Sequence, residues 1–375
     1  MANNLSEQTG ANVKGEIFPV QDFHHVEFYV GNAMQAAYYY SKAFGFAIKG
    51  YRGLETGCRD RVSYVLEQGS IRLIVTGSLN SETDIAEFVK LHGEGAKDLA
   101  LQVSNVEEAY NGAVERGGIP IREPWTEQNE HGFVKMAVIG TYGDTVHTLI
   151  ERDHYKGYFL PGFQPTDFDF NVKFIGLIGI DHCVGNVENM EQWTTYYEKV
   201  FGFTVLKHFT DKDITTEYSA LMSKVMTNGT GRVKFPINEP AEGKRKSQIE
   251  EYLEFFNGAG VQHLALLTND IIKTVKELKA NGVQFLNTPD TYYDETLKER
   301  IGEIDEDIQE LKEHRILVDR DDEGYLLQIF TKPLVDRPTI FIEIIQRKGA
   351  RGFGDGNFKA LFESIEREQI RRGNI

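Results

Sequence analysis

Residues 25–46, HVEFYVGNAMQAAYYYSKAFGF, are answered within the same chain by residues 182–203, HCVGNVENMEQWTTYYEKVFGF. In each stretch the leading histidine stands 19 residues before the first Phe of a Phe-Gly-Phe triplet. Each reads as a strand, a Gly-Asn turn (Gly31-Asn32 and Gly185-Asn186), an amphipathic helix with a Tyr pair, and a Phe-Gly-Phe exit. An internal repeat of this length decides the architecture before any single element does.

The correspondence continues downstream. Asp98-Leu99-Ala100-Leu101, with a helix starting after Ser104-Asn105, matches His263-Leu264-Ala265-Leu266, with a helix starting after Asn269-Asp270. Both helices have a polar N-cap and stop at a glycine, Gly117 or Gly282, as capping chemistry prefers. Thr148-Leu149-Ile150-Glu151-Arg152 then matches Glu343-Ile344-Ile345-Gln346-Arg347. The offset between matched positions grows from 157 to 165 to 195, which places an insertion of 30 residues in the second half. The acidic, helical-looking stretch Asp294–His314 is the candidate.

Two homologous halves follow, each with two strand–helix–strand units. The expected class is α+β, with curved sheets carrying helices on their outer faces. The expected divisions are a flexible tail over 1–20, a first domain over 21–160, a linker over 161–173 and a second domain over 174–375. The Pro and Asp of PGFQPTDFDF mark the linker.

Composition narrows the function classes. With 41 Lys+Arg against 57 Asp+Glu the formal charge is −16, which disfavours nucleic acid or an anionic membrane as main partner. The longest nearly apolar run, Phe174 to Ile180, is far shorter than the ~20 residues a membrane helix needs. The N-terminal residues lack the basic and apolar regions of a signal peptide. Cys58 and Cys183 are the two cysteines, which suits two free thiols and a cytoplasmic setting.

The chemistry sits at the matched positions. The second half places His182, His263 and Glu343 where the first half has His25, Asp98 and Thr148. Two histidines and a carboxylate on strands form a possible facial triad, a ligand set with open positions that suits non-haem Fe(II) oxygenases. Strand alternation puts each of the three on an otherwise apolar face. A buried carboxylate there is costly without a cation. A lone histidine on such a face is usually a satisfied core residue, and that reading is preferred for His25. The first half, with Thr148 for Glu343, reads as structural. Cys183 falls on the face opposite His182 and reads as inert core.

Four further motifs carry a family resemblance: Pro236-Ile237-Asn238-Glu239-Pro240, Lys244-Arg245-Lys246-Ser247-Gln248-Ile249, Gly258-Ala259-Gly260-Val261-Gln262-His263-Leu264-Ala265, and Gly352-Phe353-Gly354-Asp355-Gly356-Asn357-Phe358. From about Phe23 to Ile365 the chain resembles the 4-hydroxyphenylpyruvate dioxygenase family of the vicinal-oxygen-chelate superfamily. The resemblance implies tandem βαβββ modules whose sheets form open β-barrels, with the active site in the C-terminal half alone. It implies one Fe(2+) per chain on His182, His263 and Glu343. Ser223, Asn238, Gln248, Gln262, Gln328, Phe330, Phe341, Phe353, Asn357 and Phe358 are the implied substrate-binding residues. Val225, Pro236 and Leu361 are the implied pocket wall, and a helix over about 357–372 is the implied lid.

Spacing supports part of this set. Ser223 and Val225, Pro236 and Asn238, and Gln328 and Phe330 are i, i+2 pairs that share a strand face. Alternation puts Gln262 on the face opposite His263. Bland readings stand beside these: Asn238 as a turn residue between prolines, Ser247-Gln248 as a helix cap, Lys244–Lys246 as a solvated turn, and Phe330 and Phe341 as core aromatics. The implied reaction converts 4-hydroxyphenylpyruvate and O₂ to homogentisate and CO₂ in tyrosine catabolism, with Phe341 and Phe358 stacking on the substrate ring and no general acid or base assigned. The alternatives are benzylic hydroxylation to 4-hydroxymandelate, and a metal-free module of the same superfamily that only binds a small ligand. A homo-oligomer, dimer or tetramer, is expected.

Overall fold

The computed structural model describes residues 18–166, 168, 170–210, 220–241, 243–297 and 301–373. The first βαβββ module is β1 (Val20–Tyr29), α1 (Ala33–Phe44), β2 (Ala47–Arg52), β3 (Arg61–Gln68) and β4 (Ile71–Ser78). Helix α2 (Asp84–His92) leads to the second: β5 (Gly95–Val103), α3 (Val106–Glu115), β6 (Ile119–Asn129), β7 (Gly132–Gly140) and β8 (Val146–Glu151). A short β9 (Gln164–Pro165) follows. The third module is β10 (Leu177–Asn186), α4 (Met190–Phe201), β11 (Thr204–Phe209), β12 (Ala220–Thr227) and β13 (Lys234–Ala241). After α5 (Gln248–Phe256) comes the fourth: β14 (Gly260–Thr268), α6 (Ile271–Ala280), α7 (Ile308–His314), β15 (Leu317–Arg320), β16 (Tyr325–Phe330) and β17 (Phe341–Lys348). Helix α8 (Asp355–Arg372) closes the described chain. Among the described residues no helix is long and apolar enough to cross a membrane.

The repeat is carried into the sheets. The first has the order β6-β7-β8-β5-β1-β4-β3-β2-β9 and the second β11-β12-β13-β10-β14-β17-β16-β15. In every module the first strand pairs parallel with the last: β1 with β4, β5 with β8, β10 with β13 and β14 with β17. The leading strands of sister modules meet antiparallel, β1 with β5 and β10 with β14. Positions matched in sequence therefore land on adjacent central strands.

The Phe-Gly-Phe triplets have a local cause. Gly45 (φ 72°) and Gly202 (φ 65°) end α1 and α4 in the left-handed region, which a glycine adopts without a Cβ clash. At Gly45 a Cβ would also meet the Lys173 carbonyl at 2.7 Å. The flanking Phe44, Phe46, Phe201 and Phe203 all enter the core. The starts of the two helices differ from expectation. Asn32 caps α1, but α4 is capped by Asn189, whose side chain accepts from Gln192 N. Gly185-Asn186 is not a turn. Both stay in β10, paired with Ile237 and Asn238, where Gly185 leaves room for the Tyr142 ring.

Other boundaries shift too. Phe18 and Val20, placed within the tail expected over 1–20, are buried, and Phe18 packs edge-on against Phe201 at 5.0 Å. Residues 1–17 lie outside the described ones. The insertion falls between α6 and β15, where Tyr292, Tyr293, Leu297, Ile301 and Leu311 are buried rather than looped out. The end of the first domain enters its core. Phe159 and Leu160, with Tyr155, pack against Val65, Ile74, Ala100, Met136 and Ile150 and fill the hollow of the first sheet. The halves are joined through buried polar contacts, Thr141 and His147 to the Tyr197 hydroxyl (3.0 and 2.8 Å) and His92 to the Phe256 carbonyl (2.6 Å).

Truncating the plug with Phe159→Ala is expected to destabilise the protein by about 3–5 kcal/mol, the usual cost of a large core cavity. Metal uptake by the second half should persist. Chemical denaturation and metal analysis of the folded variant check both halves of this expectation.

Candidate metal centre

Three neighbouring strands, β10, β14 and β17, carry the centre. Their register sets His182 opposite Ala265 and Ala265 opposite Glu343. His182 Nε2 and His263 Nε2 come within 3.3 and 3.2 Å of Glu343 Oε2. One ligand atom from each residue lies within 4.8 Å of the others, and all three residues are buried. Each ring is tied back through its other nitrogen. His182 Nδ1–H donates to Asp181 Oδ1 (2.7 Å) and His263 Nδ1–H donates to Gln262 Oε1 (2.9 Å). These bonds fix the tautomer that leaves both Nε2 lone pairs directed at one point, the arrangement a metal-binding histidine uses.

Charge makes the same case. Burial pushes the Glu343 carboxyl up, but His182 and His263 overcome that and hold it down at about 2. For His182, burial lowers and Glu343 and Asp181 raise, leaving it above its ordinary value. Asp181 is balanced separately: Arg347 Nε and Nη2 bond its two oxygens (2.7 and 2.8 Å) and Lys234 stands at 3.5 Å. No lysine or arginine among the described residues pairs with Glu343 in this way. A divalent ion is the group the donor set fits.

Of the residues expected in the substrate pocket, Ser223 sits opposite Asn238 and Val225 opposite Pro236 on β12 and β13, all four buried. Asn238 is thus a strand residue, not a turn. Pairing of β13 with β10 covers only Gly185 and Asn186, so the prolines of β13 break few ladder bonds. Val225 packs with Ile249, Phe353 and Phe362, which turns its face toward α8. Ser247 caps α5 in a capping box with Glu250, and Gln248 occupies the first turn. Lys244–Lys246 are exposed. Four buried polar atoms, Ser223 Oγ, Asn238 Oδ1, Gln248 Oε1 and Asn186 Nδ2, have no hydrogen-bond partner among the described residues. Such orphans are rare in native proteins and call for a water, an ion or a polar ligand as partner.

Gln262, Gln248 and Phe341 line one cavity together with Ile365 and Arg372 of α8. Gln262 therefore serves both the cavity and His263. Phe341 stacks on the His263 ring at 4.7 Å and 20°, so one of its faces is taken. Phe330 meets His263 edge-on at 6.1 Å and shares a second cavity with Leu361. Gln328 Nε2 donates to Glu343 Oε1 (2.8 Å), and the Asn357 amide lies 2.8 Å from the Gln328 oxygen. Gln328 thus holds the Glu343 carboxylate. A Cβ on Gly354 (φ +74°) would stand 2.5 Å from that Gln328 oxygen. Phe353 contacts the His182 ring edge-on at 5.0 Å. The side chain of Phe358 lies outside the described ones.

In the first half the matched residues are engaged with the chain itself. Asp98 accepts from the Thr148 amide (2.9 Å) and hydroxyl, His25 contacts His24 at 2.8 Å, and Phe159 covers both histidines. Cys183 is fully buried, and burial pushes its thiol well up. Sequence reasoning missed Asp181, Arg347 and Lys234. Two signals were present: a carboxylate directly before His182, and an arginine on the strand face of Glu343.

Comparisons with known proteins agree with this geometry. Residues 18–171 match the family model described as hydroxyphenylpyruvate dioxygenase, HPPD, N-terminal. Residues 179–329 match the Glyoxalase/Bleomycin resistance protein/Dioxygenase superfamily. The chain is 47% identical to 4-hydroxyphenylpyruvate dioxygenase of Yarrowia lipolytica, over 98% of this chain and 97% of the relative. It is 48% identical to that of Xenopus tropicalis, over 94% and 92%. Among solved structures, a triple mutant of 4-hydroxymandelate synthase from Streptomyces coelicolor superposes with a TM-score of 0.84 at 32% identity, covering 94% of this chain and all of that one.

His182→Ala and Glu343→Ala are expected to lose stoichiometric divalent metal while remaining folded, whereas Asp98→Asn keeps it; elemental analysis with circular dichroism checks this. Metal affinity should fall as pH drops through the histidine range, because a proton on His182 competes with the ion. Titration calorimetry at several pH values should show proton release on binding. A pH-independent affinity would contradict the ligand assignment.

Proposed function

The chain belongs to the 4-hydroxyphenylpyruvate dioxygenase family, and from that premise we propose that His182, His263 and Glu343 hold one Fe(II) per chain and that the enzyme converts 4-hydroxyphenylpyruvate and O₂ to homogentisate and CO₂. The observation that carries this reading is the convergence of two Nε2 atoms and one carboxylate oxygen at a buried point. Three protein ligands leave positions for a chelating 2-oxo acid and for O₂. When bound, the iron supplies the redox chemistry that couples loss of the carboxyl group as CO₂ to hydroxylation of the ring.

The protein's own groups do the rest. Asp181 and Gln262 keep His182 and His263 in the metal-binding tautomer. Gln328 fixes one Glu343 oxygen and leaves the other facing the histidines. Ser223, Asn238 and Gln248 offer unpaired polar atoms that orient the polar groups of the substrate. Val225, Pro236, Phe330, Phe341 and Leu361 form the apolar wall. Phe353, Asn357 and helix α8 cover the site and exclude water. No side chain is assigned as general acid or base.

The test is a single aerobic turnover of the Fe(II)-loaded protein with 4-hydroxyphenylpyruvate, read by NMR of the product. Homogentisate with one CO₂ is expected. A product hydroxylated at the benzylic carbon would place the enzyme with the 4-hydroxymandelate synthases instead. A protein that binds the acid but turns nothing over would be a binding module. Ser223→Ala should raise KM roughly tenfold, the effect of losing one buried hydrogen bond worth about 1.5 kcal/mol, with metal content unchanged.

A further inference from the structure

The segment that leads into α8 is held from both sides. Asp321 Oδ2 accepts from the amides of Arg351 (2.8 Å) and Gly352 (2.7 Å). Arg347 Nη1 donates to the carbonyls of Gly352 (2.7 Å) and Ala350 (3.2 Å). The same guanidinium bonds both oxygens of Asp181 through Nε and Nη2, and its carbon lies 5.5 Å from the Phe353 ring centre. Asp181 in turn accepts from His182 Nδ1. One planar fork therefore touches the hinge of the covering helix and, through a single carboxylate, a metal-binding histidine.

The first half shows which part of this device the fold needs by itself. Arg152 matches Arg347 at the repeat offset, and its Nη2 donates to the carbonyl of Gly157, the match of Gly352 (3.3 Å). There Asp181 is replaced by His24. Arg152 Nε and His24 Nε2 are left without partners among the described residues. The arginine-to-carbonyl tie is thus common to both halves. The carboxylate that extends it to a histidine occurs only beside the complete ligand set.

We propose that Arg347 is a positioning residue: through Asp181 it couples the seating of the 350–354 hinge over the site to the orientation of the His182 ring. The inference rests on the metal-site reading above. Seating the hinge engages the fork, the fork fixes Asp181, and Asp181 fixes the ring. Withdrawing the hinge removes two acceptors from the guanidinium and frees Asp181 to turn. A guanidinium can make all these bonds at once, whereas a lysine ammonium cannot span them in that geometry.

The test uses the full chain and Co(II) as probe. Asp181→Asn touches no hinge residue, yet it should speed hydrogen exchange at the Arg351 and Gly352 amides about tenfold. It should also weaken Co(II) binding roughly 10–100-fold and alter the Co(II) absorption spectrum. Arg347→Lys should reproduce both effects. Lys234→Met removes a cation near Asp181 without touching the hinge, and should leave hinge exchange at the wild-type rate. Exchange unchanged in Asp181→Asn, or restored by the lysine of Arg347→Lys, would overturn the coupling and leave Arg347 a simple counter-charge. If wild-type protein itself takes up no Co(II), the metal reading fails first, and the coupling with it.

Discussion

A carboxylate buried without a fixed cation governs the second half of this molecule. Glu343 lies among β10, β14 and β17, and among the described residues two imidazoles and an amide face it. Asp181, on the residue next to His182, is served by Arg347 and Lys234. The contrast is informative because burying an ion is costly unless a partner of opposite sign accompanies it. One acid has its partners in the chain. The other is arranged to receive its partner from outside, and the Nε2 atoms beside it are the remaining donors of the same site.

Duplication shows how such a site can be kept without endangering the fold. Both halves build the same ladder of eight strands, extended by the short β9 in the first, with an antiparallel central pair flanked on each side by a parallel pair and then by antiparallel outer strands. In one half the hollow is closed by Phe159 and Leu160, and Asp98 and Thr148 bond each other. In the other, Ser223, Asn238 and Gln248 keep polar atoms without partners among the described residues, and a separate helix lines the cavity beside Gln248. Stability is concentrated in the plugged half and chemistry in the open one, an instance of function residing in a site grafted on a fold.

Much of this was legible in the residues. The repeat announced the two halves, and the matched trio His182, His263 and Glu343 announced the centre. Three polar groups on apolar strand faces at equivalent repeat positions each need a partner, and one shared ion serves all three. Alternation also placed Ser223, Val225, Pro236 and Asn238 together. It failed where strands depart from regular pleating. Register shifts in β10 at Ile180/His182 and Val184/Gly185 carry that strand past the predicted turn. Gln262 reaches the ring of its own neighbour, which a two-residue period does not foresee. The partners of Asp181 come from residues 234 and 347, and long-range pairing of this kind leaves no local pattern. Gln328 was expected in the pocket from the resemblance, and its attachment to Glu343 depends on the β16–β17 register.

The separation of the three ligands along the chain has a consequence for biosynthesis. His182 is made 161 residues before Glu343. At about 5–20 residues per second, roughly 10–30 s pass on the ribosome between them. During that interval the plugged half, including Phe159, is already complete and can fold. The open half waits, with its histidines on strands whose parallel partner β17 does not yet exist. Pairing among β10 to β14 needs only residues up to 268, whereas the β14–β17 and β16–β17 pairs that bring Glu343 beside the histidines wait for the last part of the chain, so the three donors first come together near the end of translation.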